Sequence, residues 1–352
     1  MGSVTKGNML VLLSLMGKEC MFMMENGNVW TFDKIAECAG AIRENMGRVI
    51  IGKQDVIKLV IAGLFAGGHI LLEDTPGTGK TMLAKSLARS IDAEFGRIQF
   101  TPDLLPLDLT GQNVYHQKEE QFVFVPGPVF CNVLLADEIN RATPRTQSSL
   151  LECMEEKQVT VDGETRVLER PFFLIATQNS IETAGTYPLP EAQLDRFLFK
   201  LLIEFPSLEE LKQIMHLTVE GQQEQIQPVL TAGDLMEMRQ VVRDIPVSAA
   251  VEEYALALVI GTHPDSEYAV KEVKQYVLEG ASPRAAQAIL LTAKARALLD
   301  GRYNVSFDDI DDVAKAALRH RLALNFDALS ENVVADTIIA ALQEALNGRK
   351  TV

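Results

Sequence analysis

The stretch LLEDTPGTGKT (71–81) constrains this chain more than any other. Gly77 and Gly79 permit backbone conformations that side chains obstruct, so that successive N–H groups can turn inward around an anion. An apolar run at residues 70–73 precedes the loop. Leu83, Leu87 and Ile91 follow it at a spacing that gives one apolar helix face. A strand, a glycine loop and a helix start, in that order, make an anion site, because the orphan amides and the helix dipole both favour negative charge. Lys80 would neutralise β- and γ-phosphates there, and the Thr81 hydroxyl would bind Mg²⁺. One position departs from the G-x-x-x-x-G-K-[ST] pattern: Asp74 stands where the first glycine is usual. A carboxylate at the mouth of the loop is tolerable if the backbone stays ordinary and the group is solvated.

From Trp30 to about Phe205, short apolar runs alternate with helical patterns, the mark of an α/β domain built on a parallel sheet. Besides residues 70–73, strands are predicted at 97–100, 132–136, 172–176 and 199–203. Two hairpins interrupt the scheme. QVTVDGETRVL (158–168) alternates around an Asp-Gly turn, and NVYHQKEEQFVFV (113–125) does the same around Lys118, Glu119 and Glu120. After Pro206 only helices are expected. Ser207 with Glu210, and Ser306 with Asp309, have capping-box spacing. Residues 221–229 read as a loop inside this helical part, and Val334, Ile338, Leu342 and Leu346 line one face of the last helix. The expected domains are therefore a poorly ordered extension at 1–29, an α/β domain at 30–206 and a helical domain at 207–352.

The extension contains an apolar stretch at residues 8–24, split by Lys18 and Glu19 into halves too short to span a bilayer. No small-residue cleavage site follows it, so it is read as an extra segment from an upstream start codon rather than a signal peptide. Cys20, Cys38, Cys131 and Cys153 lack C-x-x-C spacing, which argues for a reduced, cytoplasmic chain without a disulfide framework or zinc site. The formal net charge of −15 disfavours nucleic acid as the main partner.

Four further segments can carry chemistry. In CNVLLADEIN (131–140) an apolar strand delivers Asp137 and Glu138 at its C-terminal end, where ligands of open α/β sheets sit. Asp137 would hold Mg²⁺ through water, and Glu138 would act as general base on the attacking water. An Asp-Glu pair after a strand is by itself an ordinary loop start; downstream of the glycine loop it becomes its natural complement. Asn179 ends another apolar strand, where it could hydrogen-bond both the water and a γ-phosphate or serve simply as a turn residue. Arg196 precedes the last predicted strand and reads, on residues alone, as the surface partner of Asp195. Arg284 follows Ser282, a plausible N-cap, and Pro283, placing a cation in a first helical turn where the dipole disfavours it. Such a misfit often marks a functional position, and a γ-phosphate would relieve this one; chance placement is the competing reading.

Taken together, LLEDTPGTGKT, RIQFTPDLLPLDLTG, LLADEINRATPRTQSSLLECMEEKQVTVDGE, FFLIATQNSIETAGTYPLPEAQLDRF and GASPRA closely resemble the AAA+ ATPases of the MoxR family. The resemblance runs from about Thr31 to the C-terminus. It implies a five-stranded α/β P-loop ATPase core followed by an all-helical lid, assembling as a homo-oligomeric ring, usually a hexamer. That family tolerates acidic residues before the PGxGKT core, which removes the difficulty of Asp74. The resemblance implies that Thr75, Pro76, Gly77, Thr78, Gly79, Lys80, Thr81 and Met82 hold ATP. Thr81 and Asp137 would hold Mg²⁺, and Ile51 and Gly52 would border the adenine. Glu138 becomes the general base, Asn179 sensor 1 and Arg284 sensor 2, and Arg196 becomes the finger acting on a neighbour's nucleotide. Arg141 and Arg145 are placed near the subunit interface, and the two hairpins near the pore or an axial surface. Functionally it implies chaperone-like remodelling, maturation or metal-cofactor loading of other proteins, whose usual partners carry von Willebrand factor A domains. A magnesium-chelatase-like motor subunit, a DNA-directed AAA+ motor and a nucleotide-gated binding module are the alternatives.

Overall fold

The computed structural model describes residues 2–6, 9–13, 20–24, 29–74, 78–118, 120–179, 185–219 and 226–349, the first three stretches as backbone only. The chain divides into two compact units, one of residues 43–60 and 67–232, the other of residues 1–42, 61–66 and 233–352.

The first unit is built on five parallel strands: β1 (Ile70–Asp74), β2 (Phe95–Gln99), β3 (Val133–Asp137), β4 (Phe173–Asn179) and β5 (Phe199–Ile203). Their order across the sheet is β5-β1-β4-β3-β2. β3 is buried along its whole length, as a central parallel strand with helices on both faces must be, and reads VLLAD for that reason. Helix α1 (Lys80–Ser90) follows β1 and helix α2 (Pro144–Glu156) follows β3. Leu83, Leu87 and Ile91 are all buried, as their spacing predicts.

Both hairpins are present: Gly111–His116 pairs with Gln121–Pro126, and Gln158–Val161 with Glu164–Val167. They also hold each other. Asn113 Nδ2 donates to Asp162 Oδ2 at 2.8 Å, and the Arg166 guanidinium lies 3.9 Å from the centre of the Phe124 ring. A cation over an aromatic face is attractive even when partly solvated.

The division differs from expectation at both ends: residues 30–42 and 61–66, expected in the α/β domain, group with the mainly helical unit, and residues 207–232, expected in the helical domain, group with the sheet unit. Helix α3 (Leu208–Val219) groups with the sheet unit, not the helical one. Its capping box forms, Glu210 Oε2 accepting the Ser207 amide at 2.7 Å, and the same carboxylate binds Lys53 Nζ at 3.4 Å, which ties the helix to this unit. Of the predicted loop at 221–229, residues up to 225 lie outside the described residues. The remainder also belongs to the sheet unit: Val229 donates its amide to Ser90 O at 2.8 Å, and Asn45 Nδ2 donates to Gln227 O at 2.9 Å.

The second unit is mainly helical, with α4 (Pro283–Leu299), α5 (Phe307–Leu318) and α6 (Ala335–Leu346) among its elements. Small buried residues (Ala285, Ala288, Ala314, Ala317) let these helices approach closely around Ile289, Ile310 and Ile338. The unit is not helices alone, since Val277–Glu279 and Ala323–Leu324 form a short antiparallel ladder. Val334 does not join the buried face of α6: it is the N-cap, 58% exposed, while Ile338, Leu342 and Leu346 are buried. The segment expected to lack order carries strands Gly2–Lys6, Met9–Leu13 and Cys20–Met24, which pair in sequence with Val29–Thr31 as an antiparallel sheet.

Candidate nucleotide site

The C-terminal ends of β1, β3 and β4 meet at one edge of the sheet. Asp74, the last residue of β1, is in register with Asn179 on one side and Ile203 on the other. Thr75, Pro76 and Gly77 lie outside the described residues. Gly79 caps α1 in the left-handed region at φ 88°, where any side chain would be strained. Space is not the constraint, because a Cβ there would find its nearest neighbour, Ile50 Cδ1, at 3.8 Å. Thr78 and Thr81 are half-buried, and Met82 is 50% exposed.

Lys80 opens α1 and reaches across the sheet edge. Its Nζ stands 3.8 Å from Asp137 Oδ1, with both side chains nearly buried. Asp137 is further fixed by Thr177, whose hydroxyl donates to Oδ1 at 2.8 Å, and by Arg97, whose Nη2 donates to Oδ2 at 2.8 Å. Thr177 Oγ1 also accepts the Glu138 backbone amide at 2.8 Å, so one buried hydroxyl anchors the Asp137 carboxylate and the Glu138 main chain together. Glu138 has a left-handed backbone, φ 56°, a conformation that strains a non-glycine residue. Its Oε2 accepts from Gln99 Nε2 at 2.6 Å and from Arg141 Nη1 at 2.9 Å.

The chemistry of this donor set fits Mg²⁺. A carboxylate and a hydroxyl are hard oxygen ligands, and Mg²⁺ is held through one or two protein groups together with substrate phosphates. Among the described residues no group of three or more His, Cys, Asp and Glu is poised for a metal.

On the other side of α1, Ile51 is half-buried and Gly52 adopts φ 73°. A Cβ on Gly52 would fall 1.7 Å from Glu210 Oε1, so an added side chain would have to push that carboxylate aside, and the left-handed backbone would strain it in any case. Hydrogen bonding from the Ser207 amide, reinforced by Lys53, holds the Glu210 carboxyl below its ordinary value and keeps it anionic beside this turn.

Comparison with known proteins decides the family. Residues 69–199 match the model of the ATPase family associated with various cellular activities (AAA), and residues 271–342 match the AAA lid domain. The chain is 41% identical over 292 residues to Chaperone MoxR1 of Mycobacterium tuberculosis, covering 83% of this chain and 77% of that one. This chain belongs to the MoxR family of AAA+ ATPases. The chain is also 44% identical over 310 residues to the uncharacterised protein YeaC of Bacillus subtilis, covering 87% of this chain and 93% of that one. A crystal structure of a Cytophaga hutchinsonii protein assigned as an ATPase superposes with a TM-score of 0.83 at 39% identity, covering 90% of this chain and 97% of the other.

Within this MoxR core, Asn179 is buried at the end of β4, and its carbonyl accepts from Asn140 Nδ2 at 3.4 Å. The site edge thus unites Lys80, Thr81, Asp137, Glu138 and Asn179. Arg196 lies elsewhere. It precedes β5, whose Phe199 is level with Ile70 and whose Ile203 is level with Asp74. The strand start is therefore ~13 Å below the site edge, taking ~3.3 Å per residue. There Arg196 Nη1 pairs with Glu155 Oε2 at 2.9 Å, on the last turn of α2, rather than with its sequence neighbour Asp195. Arg145, on the first turn of α2, is exposed, whereas Arg141 is bound to Glu138.

Arg284 belongs to the helical unit, exposed in the first turn of α4. Ser282 is the N-cap, accepting the Arg284 amide at 3.2 Å, with Pro283 at the first helical position. Three residues of the site escaped sequence reasoning: Thr177, Arg97 and Gln99. Each is a polar side chain inside a run that reads as strand, and only the strand order brings it to Asp137 or Glu138.

Proposed function

We propose that this chain is an Mg²⁺-dependent ATPase working as a homo-oligomeric ring, most simply a hexamer, in the cytoplasm. The observation that carries the reading is the convergence of Lys80, Asp137 and Glu138 at one sheet edge, with Lys80 Nζ 3.8 Å from Asp137 Oδ1 and both acids oriented by Thr177. The glycine loop, with Thr75, Pro76, Gly77, Thr78 and Gly79, cradles the phosphates through its amides. Lys80 offsets phosphate charge. Glu138 orients a water and takes its proton, and leaves the grip of Gln99 and Arg141 to do so. Asn179 positions that water against the terminal phosphate. Thr81 and Asp137 would hold Mg²⁺, which supplies further neutralisation of phosphate charge. Ile51, Gly52 and Met82 border the nucleoside. The sensor-2 role of Arg284 rests on family resemblance.

Arg196 stands at the wrong end of its own sheet to serve its own site, which supports a finger acting in trans. The output is chaperone-like remodelling or metal-cofactor loading of partner proteins, von Willebrand factor A domain proteins foremost. Among the described residues no helix is long and apolar enough to cross a membrane. Calorimetric titration with ATP tests the reading: the parent binds with Mg²⁺ present, and Lys80→Ala loses most of the affinity. A parent that takes up no ATP ends it. Salt-sensitive DNA binding with DNA-stimulated turnover would favour a DNA motor instead.

A further inference from the structure

The two oxygens of Asp137 are already divided between partners. Oδ1 faces inward, accepting the Thr177 hydroxyl at 2.8 Å with Lys80 Nζ at 3.8 Å. Oδ2 faces the sheet edge, where Arg97 Nη2 meets it at 2.8 Å. Arg97 and Gln99 share one face of the edge strand β2, because side chains two apart point the same way, and the Arg97 guanidinium also donates to Gln99 Oε1 at 3.2 Å. The carboxylate assigned to a divalent cation therefore sits between two monovalent ones.

The two cations differ in kind. The Lys80 side chain is 12% exposed, whereas that of Arg97 is 46% exposed against 10% for Asp137. Arg97 reaches in from solvent, so it can withdraw while Asp137 stays fixed by Thr177. An ion pair with one partner so exposed adds little stability. Its field acts more strongly on a third charge: a guanidinium bound to one carboxylate oxygen opposes a doubly charged ion approaching the other, at short range and in partly desolvated surroundings.

On the nucleotide-site reading given above, we propose that Arg97 is a positioning residue for Asp137 that sets the Mg²⁺ requirement of the site. The guanidinium holds the outer oxygen and offsets the carboxylate charge, so free Mg²⁺ gains little by binding alone. The negative charge of a triphosphate reverses that balance, and metal and nucleotide enter together.

The test is equilibrium binding of a fluorescent ATP analogue to full-length protein across a Mg²⁺ series, for the parent, Arg97→Gln, Arg97→Met and Arg97→Lys, each checked by thermal unfolding. The two neutral variants lower the half-saturating Mg²⁺ by about fivefold, while the lysine variant stays near the parent. A purely structural role would move unfolding and affinity without moving the metal midpoint. An unchanged or raised midpoint in whichever neutral variant folds overturns the proposal. A parent that binds no analogue at saturating Mg²⁺ overturns the underlying nucleotide reading and this inference with it. A parent that binds, with variants whose midpoint is unmoved, overturns this inference alone.

Discussion

Thr177, fully buried, donates its hydroxyl to Asp137 Oδ1 at 2.8 Å. The Thr177 hydroxyl oxygen itself accepts the Glu138 amide at 2.8 Å. Thr177→Val keeps the shape and removes both bonds, leaving a buried amide and a nearly buried carboxylate oxygen short of a partner. We expect a stability loss of about 1–3 kcal/mol and a fall in turnover of about tenfold or more from misaligned acids. Denaturant unfolding and steady-state kinetics on one preparation measure the two effects; unchanged turnover would show that Thr177 does not orient the pair.

Arg196 binds Glu155 at 2.9 Å at the far end of β5 from the nucleotide edge. A trans role makes a distinctive prediction. Arg196→Ala alone loses about 10³-fold or more in turnover while keeping ATP affinity. Mixing it with Lys80→Ala restores part of the activity, because a mixed ring contains sites with an intact loop facing an intact finger. If the mixture stays as inactive as its components, Arg196 does not act on a neighbour.

Gly52 combines φ 73° with a Cβ position 1.7 Å from Glu210 Oε1. Gly52→Ala must displace the Glu210 carboxylate from Ser207 and Lys53 and hold alanine in a left-handed turn, costing about 1–3 kcal/mol. A drop of several degrees in Tm is expected; parental stability would mean that the turn relaxes freely.

Asp309 supplies a pH dependence. Burial raises its carboxyl pKa, but hydrogen bonds from Arg302 and from Ser306 outweigh that and leave it lowered. Arg302 grips it with both terminal nitrogens, at 2.6 and 2.5 Å, and Asp309 is 1% exposed. A depressed carboxyl contributes stability that is full above its unfolded pKa of ~4 and fades as pH falls through the lower folded value. Asp309→Asn should therefore lose about 2 kcal/mol at neutral pH, with the gap from the parent closing below about pH 4. Urea midpoints across that range check it, and a pH-independent gap would contradict it.

Much of the fold was legible because it is written locally. The loop at 77–81 sits between an apolar run and an apolar helix face, and the Asp-Gly turn at 162–163 fixes its hairpin. Strand ends shifted by one to three residues, as at Val133–Asp137 and Phe173–Asn179, because a polar residue such as Asp137 or Thr177 can end a strand or complete it. What was not legible depends on strand order. Arg97 and Thr177 meet Asp137 only because β2 and β4 flank β3, and nothing within RIQF or LIATQN announces that neighbour. The unit boundary near Pro206 was misplaced for the same reason: Ser207 and Glu210 announce a helix, but only Lys53, distant in sequence, says where that helix docks.

Phosphate release from ATP, measured in parallel for the parent and Glu138→Gln with Mg²⁺ present, tests the central claim most directly. The account predicts steady turnover by the parent and a loss of about 10²-fold or more in Glu138→Gln, with both proteins binding ATP equally in calorimetry. Equal turnover by the two, or a parent that binds ATP without releasing phosphate in any assembled state, would contradict it.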